Sequence, residues 1–381
     1  MAIPAEPAAS TPSRVERFLR PTAWAFYVLI VFEILFMISP FALHFYASYG
    51  PVLDVLHRRP STAWLTKFYL PHFTETGSPV LNAAHDGGFI LIAAGLVAFF
   101  VAAVPIYWAK LRRKGAVTGG IYAVIRHPQY VALAITGVGT ALVWPRFLVL
   151  VTLVTMFVLY PLLADWEERL CVARFGDDYR QYLRRTGRFV PRFLGGGRLR
   201  VLPASGGSRL VGLGVVWLVA VPVAVLLGML VRDRSLAELS ALYVGDTAVI
   251  STAYLDRSEL NDVYRTARSD PEVRRALEQP VDARFIVYVV PSEWRLPDLP
   301  LDTTWVGGHH VPASFDRTRY QVLFTRARLH GQPPDGADIV RAAYGRDPLI
   351  VAHVDTRARK VTSVSAPPPH VRWGDISTPM F

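Results

Sequence analysis

Apolar runs and charged stretches divide the chain into a membrane-like first part and a mixed second part. One run extends from about Thr22 to Tyr46 and is interrupted by Glu33 and His44. The next, Phe89 to Ala109, carries no charge over 21 residues. As a helix rising about 1.5 Å per residue it reaches roughly 31 Å, enough to cross a bilayer core. A short run from Tyr130 to Trp144 is followed by Pro145-Arg146 and then by Phe147 to Ala164, which predicts a helical hairpin with a tight turn. The last run, Leu210 to Val231, is rich in Val, Leu and Gly. The predicted fold class is an α-helical multi-pass membrane domain of about five transmembrane helices followed by a small soluble α+β domain.

Beyond Val231 the period changes. Thr247–Leu255, Arg284–Val290, Tyr320–Leu329 and Leu349–Val354 are short β-branched or aromatic runs and predict strands. Ser258 to Leu277 predicts a helix with Ser258 as N-cap and a break at Asp270-Pro271. The chain therefore divides into a disordered, juxtamembrane residues 1–20, a membrane domain over 21–200, a linker with the fifth helix over 201–231, and a soluble domain over 232–381.

Charge refines this picture. The net charge is +11, yet residues 232–381 hold 19 basic and 19 acidic residues, which leaves 22 of the 41 basic and 11 of the 30 acidic residues in 1–231. A basic excess confined to the apolar half points to juxtamembrane contact with membrane lipids, and no basic stripe suited to nucleic acid appears in the second half. Lys110, Arg112, Arg113, Lys114 and Arg126 lie between the second and third runs, and ten arginines from Arg169 to Arg209 lie between the fourth and fifth. The positive-inside rule places both loops in the cytoplasm, with the N-terminus cytoplasmic and residues 232–381 extracytoplasmic. Cys171 is the one cysteine, so no disulfide forms within the chain. His309-His310 are adjacent and point in different directions on most backbones, so no metal site is expected.

The chemistry-bearing stretch is Gly119 to Phe193. Arg126 and His127 stand at the mouth of the third run, and Pro128 suits the first helical turn because its missing N–H has no intrahelical partner there. That helix start offers free N–H groups and a positive dipole end, a seat for an anion. Asp165, Glu167 and Glu168 are expected at the C-terminal end of the hairpin partner, on the same membrane face, where the helix dipole disfavours carboxylates. Opposite charges on neighbouring helix ends then make a bipolar cleft suited to a zwitterion. An alternative reading makes Arg126 and His127 interfacial anchors and the glutamates a solvated face. Glu33, about eleven residues into an apolar run, is a candidate for lining a substrate tunnel or a polar contact between helices.

The pattern Gly120, Tyr122, Arg126, His127, Pro128, Tyr130, then Glu167, Glu168, Phe175, Gly176, Tyr179, Tyr182, Arg188 and Pro191 resembles the isoprenylcysteine carboxyl methyltransferase family and, more loosely, phospholipid N-methyltransferases. Ala132 stands where many members carry glycine. The resemblance implies an S-adenosylmethionine site containing Tyr122, Arg126, His127, Pro128, Tyr130, Gly137, Glu167, Glu168 and Tyr179. It implies that Arg188 orients the acceptor and that Glu168 is the base if the acceptor is an amine. Gly137 and Gly139 admit either cofactor or a neighbouring helix. The implied substrate is lipophilic or lipidated and enters from the bilayer. A membrane oxidoreductase resembling the NADPH-dependent sterol reductases, and a non-enzymatic scaffold, are the competing readings.

Overall fold

The computed structural model describes residues 53, 55–112, 115–195, 206–278, 282–294, 311–312 and 314–367. The first apolar run with Glu33, and the His309-His310 pair, lie outside the described residues.

Among the described residues four helices carry the remaining apolar runs: α1 (Pro79–Leu111), α2 (Pro128–Val143), α3 (Phe147–Arg185) and α4 (Gly206–Ala237). Among the described residues α1, α3 and α4 are long and apolar enough to cross a membrane, whereas α2 has 16 residues, or roughly 24 Å of helix. The described part thus holds a membrane-type helical region and, after it, a sheet domain. Each long helix exceeds its apolar run. α1 starts ten residues before Phe89, and α4 continues six residues past Val231.

The largest departure from expectation is α3. Asp165, Glu167 and Glu168 do not terminate it, because the helix continues through the charged but helix-compatible stretch to Arg185. The carbonyls near the glutamates are therefore used within the helix, and the unfavourable dipole expected there is absent. The path breaks instead at Gly176, whose φ of 60° and ψ of −134° suit glycine alone.

α1 and α2 meet through small residues. A Cβ on Gly139 would lie 2.6 Å from the Gly88 carbonyl oxygen and 2.8 Å from the Ile92 nitrogen, so the backbones touch where only glycine fits. Close backbone approach of this kind is how apolar helices associate without a hydrophobic driving force.

At the end of the bundle that holds the α2–α3 turn, residues 66–69 grip that turn. Tyr69 N–H donates to the Pro145 carbonyl at 2.8 Å, Phe147 N–H to Lys67 at 3.1 Å, and the buried Arg146 guanidinium to the Thr66 carbonyl at 2.6 Å. The sheet domain packs onto the same end. Lys67 Nζ donates to the Arg341 carbonyl at 2.6 Å, Glu75 N–H to Thr252 and Gly77 N–H to Glu238, each at 2.8 Å.

Among the described residues the sheet has six strands in the order β1-β2-β3-β4-β5-β6: Ala241–Val244, Thr247–Ser251, Phe285–Pro291, Arg319–Arg328, Gly345–Asp355 and Lys360–Ser365. β2 and β3 are parallel and the other neighbours antiparallel. The parallel pair is joined through α5 (Arg257–Ser269) and α6 (Pro271–Leu277), split at Asp270 as the sequence predicts. Asp270 caps α6 by accepting from Glu272 N–H at 2.8 Å. α5 begins after Asp256, so Ser258 lies inside the helix rather than at its cap. The strand expected over Thr247–Leu255 stops at Ser251, where the chain turns to meet the Glu75 backbone. β1 and β6 carry little strand signal in sequence, since one is four residues long and the other mostly polar.

Both sheet faces are covered. α5 and α6 place Leu260, Val263, Tyr264 and Val273 on one. The other is packed by Ile339 and Val340 of α7 (Ala337–Ala342) together with Phe73 and Leu236 from the helical part. This explains why β3 reads F-I-V-Y-V-V with no polar alternation. The sheet therefore shares a core with the loop before α1 and the end of α4.

Candidate active site

The opposite end of the bundle gathers the polar residues. Its frame is a short parallel pairing of Ile125 with Gly187. Arg126 N–H donates to the Gly187 carbonyl at 2.9 Å and His127 N–H to the Arg188 carbonyl at 3.1 Å. This contact brings the segment after α3 across the start of α2. It depends on Gly187, because a Cβ there would fall 1.8 Å from the Val190 carbonyl oxygen.

Glu168 is the hub. One of its oxygens receives Arg126 Nε at 2.8 Å, lies 3.2 Å from His127 Nε2 and receives Arg188 Nε at 3.1 Å. The other receives Arg188 Nη2 at 2.5 Å. Arg188 Nη1 also pairs with Asp165 at 2.6 Å. Arg126 further donates to the Leu183 carbonyl at 3.0 Å and to the Thr186 carbonyl, which ties the helix end to the site. A carboxylate with 10% of its side chain exposed needs such partners, since an uncompensated buried charge is costly.

Glu167 is placed differently. Its side chain is 44% exposed and lies 3.3 Å from His127 Nδ1, and it accepts from the Tyr130 hydroxyl at 2.6 Å. His127 bridges the two glutamates. Burial opposes its charged form, but hydrogen bonds and charge from Glu167 and Glu168 outweigh burial and raise its pKa above the ordinary 6.5. Its ring stacks on Tyr130 with centroids 5.3 Å apart, and Tyr130 stacks on Tyr160 at 5.1 Å. Phe189 closes one side of this aromatic wall, 5.9 Å from His127.

The structure thus brings together Arg126, His127, Tyr130, Glu167, Glu168 and Arg188. The two charge sets are in direct contact rather than flanking an open cleft. Pro128 opens α2, with His127 at its N-cap. Tyr122 and Tyr179 are buried nearby in supporting positions. The Tyr122 hydroxyl donates to the Ala102 carbonyl at 2.8 Å, its carbonyl accepts from Tyr182 at 2.7 Å, and the Tyr179 ring lies 5.3 Å from that of Tyr182. A Cβ on Gly137 would meet Leu153 of α3 at 2.7 Å, a close contact between neighbouring helices. Tyr160, Thr186 and Gly187 join the group without belonging to any motif in the sequence. Tyr160 had one signal, its spacing of seven from Glu167, which puts both on one face of α3. Among the described residues, no three His, Cys, Asp or Glu side chains are grouped to hold a metal ion.

Part of the chain is similar to known methyltransferases. Residues 97–178 match the phospholipid methyltransferase family. A 78-residue stretch is 37% identical to the protein-S-isoprenylcysteine O-methyltransferase of Schizosaccharomyces pombe, covering 20% of this chain and 32% of that relative. Part of the chain is thus similar both to phospholipid methyltransferases and to an isoprenylcysteine methyltransferase. The chain spans about a third of the relative's length, and no solved structure matches it. Within residues 97–178 fall Arg126, His127, Tyr130, Asp165, Glu167 and Glu168, while Arg188 and the whole sheet domain lie beyond that match.

Proposed function

We propose that the chain transfers a methyl group from S-adenosylmethionine to a lipophilic or membrane-associated acceptor, a carboxylate or an amine, at the cytoplasmic face of a membrane. The observation that carries this reading is the convergence on Glu168 of Arg126, His127 and Arg188, at the bundle end opposite the sheet domain. Cytoplasmic placement of that end rests on the basic loops beside it.

The donor set fits a zwitterionic cofactor. Glu167, half-exposed and already accepting a hydroxyl, suits an ammonium group, and the stacked rings of His127, Tyr130 and Tyr160 offer an aromatic surface beside it for an aromatic base. S-adenosylmethionine, when bound, supplies a methyl group activated by its sulfonium. The chain's own residues have only to bind, align and exclude water. Arg188, at the edge of the network, orients the acceptor. Glu168 holds three cations in place, and this engagement favours Glu167 as the carboxylate that meets a ligand and serves as base for an amine. A carboxylate acceptor arrives deprotonated and needs no base.

Calorimetry of the full chain in detergent with S-adenosylhomocysteine and with NADP tests the reading. Micromolar binding of the first alone is expected. Binding of NADP alone would replace the methyltransferase reading by that of a reductase, and binding of neither by that of a scaffold. A tritiated-methyl assay on host membranes then identifies the acceptor.

A further inference from the structure

Asp165 is a partly buried carboxylate that binds neither cofactor nor acceptor in the proposed reaction. Asp165 lies one helical turn before Glu168, and residues three apart share a helix face. Its side chain is 13% exposed and its Oδ1 meets Arg188 Nη1 at 2.6 Å. Glu168 grips the other edge of the same guanidinium through Nη2 at 2.5 Å and Nε at 3.1 Å. Arg188 is thus clasped from two sides, while 26% of its side chain stays exposed.

The two grips differ. Glu168 is shared with Arg126 and His127, so it cannot by itself fix the angle of Arg188, whose chain follows α3 through the Thr186-Gly187 turn. A planar fork held at one edge pivots about that edge, and a second carboxylate removes the freedom. Resting on the methyltransferase reading, we infer that Asp165 is a positioning residue. It sets the orientation of Arg188, and through it that of the acceptor, without touching cofactor or acceptor itself. Its charge matters more than its bulk, because an amide of the same shape loses the ionic grip on the guanidinium.

Steady-state methyl transfer by the full chain in lipid vesicles, measured for Asp165→Asn and Asp165→Glu, tests this. Calorimetry with S-adenosylhomocysteine and thermal unfolding are run on the same preparations. Asp165→Asn is expected to lower kcat about 10- to 100-fold, the scale of a misplaced positioning group. The affinity for S-adenosylhomocysteine should stay within about threefold, or roughly 0.7 kcal/mol. Asp165→Glu, which keeps the charge, should recover part of the lost kcat. Unimpaired turnover by Asp165→Asn in an active wild-type background removes the role of Asp165 alone. Parallel loss of turnover, cofactor affinity and thermal midpoint in both variants replaces it with a purely structural one. Wild-type protein that neither binds S-adenosylhomocysteine nor transfers methyl groups removes the methyltransferase reading and this role with it.

Discussion

Glu168 and Arg188 face each other as a two-point pair, Nη2 on one carboxylate oxygen at 2.5 Å and Nε on the other at 3.1 Å, although they come from the middle of α3 and from the segment after it. The pair draws the chain back across the mouth of α2. Arg126 and His127 join it through side chains and backbone alike, so one buried carboxylate fixes both the site and the local fold.

Replacing Glu168 by alanine should therefore act twice. Three cationic or polarisable partners lose their acceptor, at a cost of about 3–5 kcal/mol for a broken buried network. Affinity for S-adenosylhomocysteine should fall at least tenfold, about 1.4 kcal/mol. Thermal unfolding and calorimetry read the two effects, and unchanged cofactor affinity in a folded Glu168→Ala protein removes this residue from the site.

Tyr130→Phe separates the hydroxyl from the ring. The stack against His127 and Tyr160 is kept, and the 2.6 Å hydrogen bond to Glu167 is lost. Because 44% of the Glu167 side chain is exposed, the stability cost should be at most about 1 kcal/mol. The effect should appear instead as weaker cofactor binding, by several fold, with the thermal midpoint nearly unchanged.

Gly187→Ala places a methyl group against the Val190 carbonyl in the turn that carries Arg188. Backbone cannot yield there as a flexible side chain would, so a loss of about 1–3 kcal/mol or more is expected. Loss of methyl transfer should accompany it, since the pairing with Ile125 opens. A fully active, equally stable Gly187→Ala protein would show that this turn does not hold the site.

His127 gives a pH dependence of definite sign. Its folded-state pKa lies above the ordinary 6.5, so protonation is favoured by folding. The associated stability is complete below pH 6.5 and is lost as pH rises through the raised value. Thermal midpoints measured from pH 6 to pH 9 should fall across that window in the wild type more steeply than in His127→Gln. Parallel curves for the two proteins would place the titration elsewhere.

The sequence determined the elements and the composition of the site. Length and apolarity mark α1, α3 and α4, since a bilayer core demands long uncharged helices. The Pro145-Arg146 turn marks the hairpin, and Pro128 marks the start of α2. Arg126, His127, Glu167 and Glu168 stand out because charge beside a membrane-spanning run needs a partner or a purpose, and the resemblance to the methyltransferase pattern adds Tyr130 and Arg188. Tertiary structure decided what those residues do to one another. No local pattern shows that α3 runs on to Arg185, because a charged helical stretch and a solvated loop carry similar residues. None shows that Gly187 folds back beside Ile125, or that Glu168 is a shared hub while Glu167 stays open, because both depend on contacts between segments some 20 to 60 residues apart. The sheet domain followed the same rule: its strands were mostly legible from β-branched runs, but its packing against Phe73 and Leu236 was not, since hydrophobic burial does not name its partner.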